Sequence, residues 1–377
     1  MKVLFISEFF PSSTHIDVHG GVEARAYQIA VRMKNSAVVI ASRELGKPQQ
    51  QILSGMSIFR VGLSRRYSRT GAFLERISFI ASAVIKGLFI KCDVIEASSF
   101  FAWLPAYMLA RLKRCKCVLI VADTIDAYAS DTTIISYLLL HWYERLCLRY
   151  KWDAIITISR MTKKKLQKKG IPESKIQVIY CGVSLKEIRS IKVNKREVPT
   201  ICCIARLVPY KRTQDLIEAV AMLNRNRVNV CLDIIGNGEE ETQLKELVAL
   251  KKLASHIEFH SYLPKQIMVW RLLKKSHLFC LPSLVEGFGM VTVEAMAAAV
   301  PVVLPDLQIH HEVTDDRGVI FYRGRDTHDL AAKIEKLLRD KKLYTRLKKQ
   351  TQGVASKYQW SKIFEQTYTI YEHMFTD

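Results

Sequence analysis

The sequence predicts an α/β protein with two doubly wound domains, each built on a largely parallel sheet. Three observations support this class: the chain has 377 residues, 49% of them are hydrophobic, and short apolar runs alternate with helical patterns. A chain of this length forms about two domains of roughly 100–200 residues. Strands that alternate with helices form parallel sheets with right-handed crossovers.

The first series of elements begins at residue 3. The predicted strands are Val3–Ser7, Ala37–Ser42, Cys92–Glu96, Val118–Val121, Ala154–Ile158 and Gln177–Tyr180. The predicted helices are Val22–Met33, Phe73–Phe89, Phe101–Leu112 and Ser159–Lys169. The first apolar run is too short for a signal peptide, and the longest is shorter than the ~20 residues of a membrane span. We therefore expect a soluble or peripheral protein.

A polar, charged stretch, Lys186–Pro199, predicts the linker between the domains. The strands predicted after it are Thr200–Ala205, Asn229–Ile235, Ile257–Phe259, Leu278–Leu281 and Val300–Leu304. The helices predicted after it are Thr213–Leu223, Glu239–Leu250, Ile267–Lys275, Met290–Ala298 and Thr327–Arg339. The expected domains are residues 1–185 and 186–360, with a ligand cleft at the carboxyl ends of their strands.

The chain is strongly basic, with a net charge of +21. Residues 1–180 contain 27 Lys and Arg against 13 Asp and Glu, so most of the excess lies in the first half. The lysines of Lys163–Lys169 share one predicted helix, and Arg65, Arg66 and Arg69 precede the apolar helix at Phe73–Phe89. Such a face attracts phosphates or an anionic membrane. A solvated face is the alternative, and no nucleic-acid-binding module is recognisable.

The nine cysteines include no CxxC pair. Scattered cysteines without zinc-ligand spacing are typical of reduced thiols in a cytosolic protein. We expect small buried side chains there and no metal site.

The segment Pro282–Ala295 carries the strongest functional pattern. It follows an apolar strand, and Gly287 and Gly289 flank a turn that opens a helix. Backbone N–H groups at a helix start bind anions, and glycine allows close approach. Glu286 precedes the turn, and Glu294, about one helical turn in, could accept hydrogen bonds from two sugar hydroxyls. A capping glutamate and a surface glutamate are the alternative, because a lone Gly-x-Gly is weak.

Three further segments follow predicted strands. Arg206 and Lys211 lie on a strand-to-helix loop and could hold a diphosphate, although a solvated basic loop has the same pattern. Gly20 and Gly21 could present N–H groups to a phosphate or could simply form a turn. Tight-turn geometry alone accounts for Gly236-Asn237-Gly238.

In combination and in this order, the segments resemble the retaining glycosyltransferases of family 4, which have the GT-B architecture. The matching features are the Gly20-Gly21 loop, Val178–Val183, Arg206 with Lys211, Gly236–Gly238 and the Glu286-x7-Glu294 motif. The resemblance covers nearly the whole chain. Tyr358-Gln359-Trp360-Ser361 and the final helix resemble the family's C-terminal crossover, which implies that residues 361–377 form a helix that returns to the first domain.

The resemblance implies a donor site for a nucleotide diphosphate sugar. Arg206 and Lys211 would hold the diphosphate, Glu286 would contact the sugar and Glu294 the ribose, and the base would lie near Tyr262 and Leu263. The remaining expected donor contacts are Gly20, Gly21, Gly287, Phe288, Gly289, Met290 and Val291. Neither a metal nor a cofactor is expected, because cations and a helix dipole would stabilise the leaving group.

The sequence departs from the family pattern at two places. The family often has a histidine after the strand at Val118–Val121, whereas Asp123 is the nearest candidate here. A loop that is usually rich in glycine contains His310 and His311, which either face the donor or, as we favour, lie on the surface.

The resulting hypothesis is a retaining, metal-independent hexosyltransferase. It would use a UDP- or GDP-sugar and a glycan or lipid-linked acceptor, in the cytoplasm or at the inner face of the membrane. The alternatives are a non-catalytic nucleotide-sugar-binding protein and an epimerase or phosphorylase of the same architecture.

Overall fold

The computed structural model describes residues 1–13, 20–66, 73–127, 133–261, 263 and 265–376. The chain divides into two compact units. The first contains Met1–Cys181 and Trp360–Asp377, and the second contains Gly182–Gln359. Each unit has its own sheet and its own layers of helices.

The first unit is built on an eight-stranded sheet in the order β3-β4-β2-β1-β5-β6-β7-β8. Its strands are β1 (Val3–Ser7), β2 (Ala37–Glu44), β3 (Gln50–Leu53), β4 (Met56–Arg65), β5 (Val94–Ala97), β6 (Lys116–Val121), β7 (Ala154–Thr157) and β8 (Ile176–Val178). All recorded pairings are parallel except that of β3 with β4. The central strands are apolar almost throughout because both faces of the sheet are covered.

In the described part of this unit, six α-helices cover the sheet. They are α1 (Gly21–Met33), α2 (Phe73–Leu88), α3 (Trp103–Lys113), α4 (Ile134–Leu148), α5 (Arg160–Lys168) and, from the end of the chain, α14 (Trp360–His373). Right-handed crossovers put α2 to α5 on one face, since each leads towards β8, and α1 on the other face. No helix within the described ranges is long and apolar enough to cross a membrane.

Helix α14 packs beside α1 through a buried polar cluster. Arg25 of α1 donates to Glu96 of β5 at 3.2 Å, and the Tyr371 hydroxyl donates to the same carboxylate. All three residues are buried. A buried carboxylate is tolerated when a cation and a hydroxyl satisfy it, so this cluster attaches the end of the chain to the first unit.

The second unit is built on a six-stranded parallel sheet in the order β11-β10-β9-β12-β13-β14. Its strands are β9 (Thr200–Ile204), β10 (Cys231–Ile235), β11 (Ile257–His260), β12 (Leu278–Cys280), β13 (Val302–Pro305) and β14 (Val319–Tyr322). Its helices are α6 (Leu185–Ser190), α7 (Thr213–Arg225), α8 (Glu241–Leu250), α9 (Gln266–Lys275), α10 (Met290–Ala297), α11 (Gln308–Thr314), α12 (Thr327–Arg339) and α13 (Lys341–Ala355).

The turn after β10 needs its glycines for close backbone packing. A Cβ on Gly236 would lie 1.9 Å from the Ala205 carbonyl oxygen, and one on Gly238 would lie 2.2 Å from that of Leu207. No side chain fits at those distances. The turn therefore fixes the loop after β9, which carries Arg206 and Lys211.

The stretch predicted as a linker, Lys186–Pro199, begins inside helix α6. Leu185 and Ile188 of this helix are buried in the second unit. The stretch predicted as a linker therefore begins with a short helix that two buried apolar residues hold in place.

Candidate functional site

The second sheet brings three loops together at the carboxyl ends of its strands. Strand β12 pairs with β9 on one side and with β13 on the other, all in parallel. The segments that follow these strands carry Lys211, Glu286 and, on helix α11, His310. Ligands of open parallel sheets bind at this edge, so the arrangement marks a candidate site.

Lys211 and Glu286 form an ion pair at the centre of this edge. The Lys211 ammonium donates to Glu286 Oε1 at 2.5 Å, and the two side chains are 12% and 10% exposed. Arg206 lies on the same loop as Lys211 and donates to the Tyr210 hydroxyl at 2.7 Å. Arg206 and Lys211, the candidate diphosphate-binding residues, thus lie on one loop. Lys211 also contacts Glu286, the candidate sugar-binding residue.

Helix α10 begins beside this ion pair. Its N-cap, Gly289, has a φ of 84°, a left-handed conformation that favours glycine. No described side chain caps this helix, and Met290 and Val291 form its half-buried first turn. Gly287 is half-buried, whereas the Phe288 ring is buried against Tyr358. An uncapped helix start next to a lysine is suited to binding an anion.

Glu294 is oriented by two side chains of α9. Trp270 Nε1 and Gln266 Nε2 both donate to its Oε1, at 3.0 and 3.3 Å. Burial raises the pKa of Glu294 to about 7, and the two hydrogen bonds oppose that change. Within the described residues no donor is recorded at Oε2, which remains able to accept hydrogen bonds from a ligand.

His310 lies inside the protein, contrary to the prediction that both histidines of its loop are on the surface. It is fully buried on α11, whereas the His311 side chain is 39% exposed and bonds to Asp306 and Asp316. Burial lowers the pKa of His310 to about 4, while Glu286 raises it and Lys211 lowers it. The sequence gives little sign of this, because His310 stands among the polar residues Gln308, His311 and Glu312, with Ile309 as its one apolar neighbour.

In the first unit, Gly20 and Gly21 are exposed at the start of α1. Among the described residues, which resume at Gly20 after a gap, none would lie within 4 Å of a Cβ on Gly20, and its φ of −173° is open to any residue. The described part of the fold therefore gives no packing reason for glycine at this position. Its role near a phosphate stays a prediction.

Asp123 follows β6 in the first unit and is already ion-paired. Lys165 of α5 donates to Asp123 Oδ1 at 2.6 Å, and the Asp123 side chain is 2% exposed. The backbone N–H of Thr124 donates to the same oxygen at 2.8 Å. A substrate that bound to this carboxylate would have to compete with Lys165. That Asp123 takes the role of the family histidine stays a prediction.

Several residues of the site are not apparent from the sequence. Tyr210, Gln266 and Trp270 orient the predicted ligands, and no spacing rule links them to Arg206 or Glu294. Of the residues expected near the base, Leu263 is half-buried and Tyr262 lies outside the described residues.

Two clusters of carboxylates and histidine already enclose a cation. Asp126, His141 and Glu144 surround Lys169, which lies 2.6 Å from Asp126 and 2.7 Å from Glu144. Asp233, Glu258 and His260 surround Arg196 in the same way. In each cluster a cation of the protein therefore offsets part of the negative charge that would attract a metal ion.

Two family profiles match consecutive parts of the chain. The profile described as glycosyltransferase family 4 matches residues 19–187, and the one described as glycosyl transferases group 1 matches residues 184–354. The chain belongs to the family 4, group 1 glycosyltransferases. The resemblance seen in the motifs is confirmed, and the enzyme class is that of a glycosyltransferase.

Individual relatives agree with this family. An uncharacterised glycosyltransferase of Methanocaldococcus jannaschii is 27% identical over 361 residues, 86% of either chain. The N,N'-diacetylbacillosaminyl-diphospho-undecaprenol alpha-1,3-N-acetylgalactosaminyltransferase of Campylobacter jejuni is 28% identical over 219 residues. That match covers 54% of this chain and 56% of the relative.

The solved structure of HepE from Anabaena in complex with UDP-glucose shares the fold. It is 18% identical, with a TM-score of 0.78 and complete coverage of both chains. The predicted GT-B fold class is confirmed.

Proposed function

We propose that this glycosyltransferase is a retaining enzyme that transfers a hexose from a UDP- or GDP-sugar to a glycan or lipid-linked acceptor. The observation that carries the proposal is the nearly buried Lys211–Glu286 pair beside the uncapped start of α10. At one sheet edge, a cation and a helix dipole match the anionic phosphates, which are the leaving group, and a carboxylate matches the sugar hydroxyls.

Each part of the donor has a candidate partner in the second unit. Arg206 and Lys211 would bind the diphosphate, with the backbone of Gly289, Met290 and Val291 completing the anion site. Glu286 would accept hydrogen bonds from the sugar. Glu294 Oε2 would accept from the ribose, since Oε1 is held by Trp270 and Gln266.

The proposed reaction retains the anomeric configuration. The bond between the anomeric carbon and the phosphate oxygen breaks, and the acceptor oxygen bonds to the same face of that carbon. The acceptor proton passes to the departing phosphate. The positive charge of Arg206 and Lys211 would stabilise that phosphate, which is why we propose that the reaction needs no metal and no cofactor.

The test is nucleotide release from UDP- and GDP-sugars with an acceptor-containing lipid extract. Lys211→Ala and Glu286→Ala should each lower kcat/KM by at least about 100-fold, because each removes a charged contact to the transition state. Lys245→Ala, at a half-exposed helix-surface lysine, is the control. Unchanged nucleotide release by Lys211→Ala and Glu286→Ala would contradict these roles. The anomeric configuration of the product, read by NMR, tests retention. A loss of activity in EDTA would contradict metal independence.

The donor and acceptor classes are supported by relatives. HepE binds UDP-glucose, and the name of the Campylobacter jejuni relative specifies a diphospho-undecaprenol acceptor. We therefore expect UDP to raise the thermal stability of the protein more than GDP, because a ligand that binds only the folded state stabilises it. A larger shift with GDP would reverse the choice of base.

A non-catalytic nucleotide-sugar-binding protein is the second candidate. The observation that favours it is Asp123, which is engaged by Lys165 where the family often has a histidine. It predicts thermal stabilisation by the donor without sugar transfer, so any observed transfer would eliminate it. An epimerase or a phosphorylase of the same architecture has no separate support in the described residues.

We also propose that the first unit docks on an anionic membrane at its cytoplasmic face. The lysine cluster supports this less than its sequence suggests, because Lys163, Lys165 and Lys169 pair with carboxylates. Lys164 and Lys168 are exposed, and no ion pair is recorded for either within the described residues.

Helix α4 supplies the stronger support. Five apolar side chains are 57–75% exposed on its outer face: Ile134, Ile135, Leu138, Leu139 and Trp142. At 100° per residue they share one side of the helix with Arg145 and Arg149, which are also exposed. An apolar stripe that ends in Trp and Arg is suited to the boundary between lipid tails and anionic headgroups.

Co-sedimentation with vesicles tests the docking. We expect binding to vesicles containing phosphatidylglycerol, weak binding to neutral ones, and a loss of at least about tenfold in Leu138→Ser/Trp142→Ala. Leu250→Ser, at a 78% exposed leucine of the second unit, is the matched control. Equal sedimentation with both vesicle types, or equal loss in the control, would contradict docking through α4.

A further inference from the structure

The buried histidine of helix α11 is not explained by the fold alone. His310 is fully buried, and neither ring nitrogen has a hydrogen-bond partner among the described residues. The Ser283 backbone lies beside the ring without reaching hydrogen-bond geometry. Burying a polar group without a partner destabilises a protein, so such groups are rare and often functional.

The position of His310 links it to the proposed donor site. Its helix follows β13, and β13 pairs with β12, whose following loop carries Glu286. Glu286 and Lys211 are both close enough to alter the pKa of His310, which burial lowers to about 4. The imidazole is therefore neutral at physiological pH and has one N–H donor and one acceptor nitrogen.

Donor binding would change the partners of Glu286. Lys211 now donates to Glu286, and both side chains are nearly buried. An ammonium that turns towards a diphosphate weakens its bond to the carboxylate. A carboxylate left without a donor in a nearly buried position is unfavourable, so Glu286 then needs a second hydrogen-bond donor.

We propose that His310 is a positioning residue that donates a hydrogen bond to Glu286 when Lys211 turns to the donor diphosphate. The inference rests on the proposed function for the role of Lys211. The histidine would keep the carboxylate oriented towards the sugar during transfer. On this proposal, the ring N–H of His310 has no partner in the ligand-free protein because its partner, Glu286, becomes available only when the donor binds.

Two substitutions separate this role from a structural one. His310→Leu removes the N–H with similar volume, and His310→Asn keeps a side-chain N–H. We expect the Leu variant to melt at the wild-type temperature or above it, because an apolar group replaces an unpaired polar one. We also expect it to lose about 10-fold to 100-fold in kcat, with a smaller change in the donor KM, and Asn to restore most of the loss.

Steady-state nucleotide release and thermal unfolding provide the readouts, with His311→Leu as a half-exposed control on the same helix. If His310 acts through Glu286, then His310→Leu/Glu286→Gln should be no slower than Glu286→Gln alone. Additive losses, full activity in the Leu variant, or inactivity in a folded Asn variant would overturn the inference. Absence of release by the wild-type protein would instead contradict the proposed function.

Discussion

Glu294→Gln tests whether the second unit keeps a carboxylate at the expense of stability. Burial raises the pKa of Glu294 from 4.5 to about 7. Because the folded protein binds this proton more tightly than the unfolded chain does, protonated Glu294 favours folding. That stability is fully present below about pH 4.5 and is lost as the pH rises to about 7.

The size of the effect follows from the pKa values. A difference of about 2.5, at about 1.4 kcal/mol per pKa unit, corresponds to about 3 kcal/mol. Since glutamine stays neutral, the variant should exceed wild type by up to about 3 kcal/mol at pH 8 and by about 1 kcal/mol at pH 5. For a unit of 178 residues, from 182 to 359, the larger figure corresponds to a rise in Tm of about 6–12 °C.

Scanning calorimetry of the ligand-free protein at pH 5 and pH 8 measures this difference. Glu246→Gln, at an exposed carboxylate of helix α8, is the control and should show little change. Equal Tm changes at the two pH values would refute the reasoning, because they would show that ionisation of Glu294 is not involved. The same variant should bind UDP more weakly, because the amide is a poorer acceptor for the ribose hydroxyls than a carboxylate.

Two further predictions concern packing and buried charge. Gly238→Ala should destabilise the second unit by about 2–4 kcal/mol in urea unfolding, because its Cβ would meet the Leu207 carbonyl oxygen. Gly20→Ala, whose Cβ would meet no described residue within 4 Å, should leave stability unchanged and raise only the donor KM. Glu96→Ala should destabilise the first unit by about 3–5 kcal/mol, as followed by circular dichroism, because it leaves the Arg25 cation buried and without its carboxylate partner.

The parallel strands were predictable because burial on both faces leaves a continuous apolar run. Strand β1 has the predicted bounds, Val3–Ser7, and α10 begins at the predicted Met290. Helix Ile134–Leu148 was not predicted, because its sequence lacks a clear hydrophobic pattern. Its apolar residues lie on the exposed face as well as the buried one, so the chain shows no amphipathic period there.

Site residues were predictable only where the sequence pattern of a single loop identifies them. Arg206 and Lys211 follow β9, and Glu286 follows β12, as the sequence predicts. Because these two strands are neighbours in the sheet, Lys211 and Glu286 come into contact. The partners of Glu294 and Asp123 come from other helices, more than 20 residues away in the chain. Tertiary packing determines such pairs. It also determines the burial of His310, which the mixed polar and apolar sequence around it does not predict.

The attachment of α14 to the first unit has a consequence for biosynthesis. Tyr371 completes the cluster around Glu96, although 275 residues separate them. During translation the whole second unit leaves the ribosome before α14 does, so the unit that begins the chain is the last to be completed. Until then the Arg25–Glu96 pair lacks its tyrosine, and chains that stop before Trp360 would remain in that unfinished state.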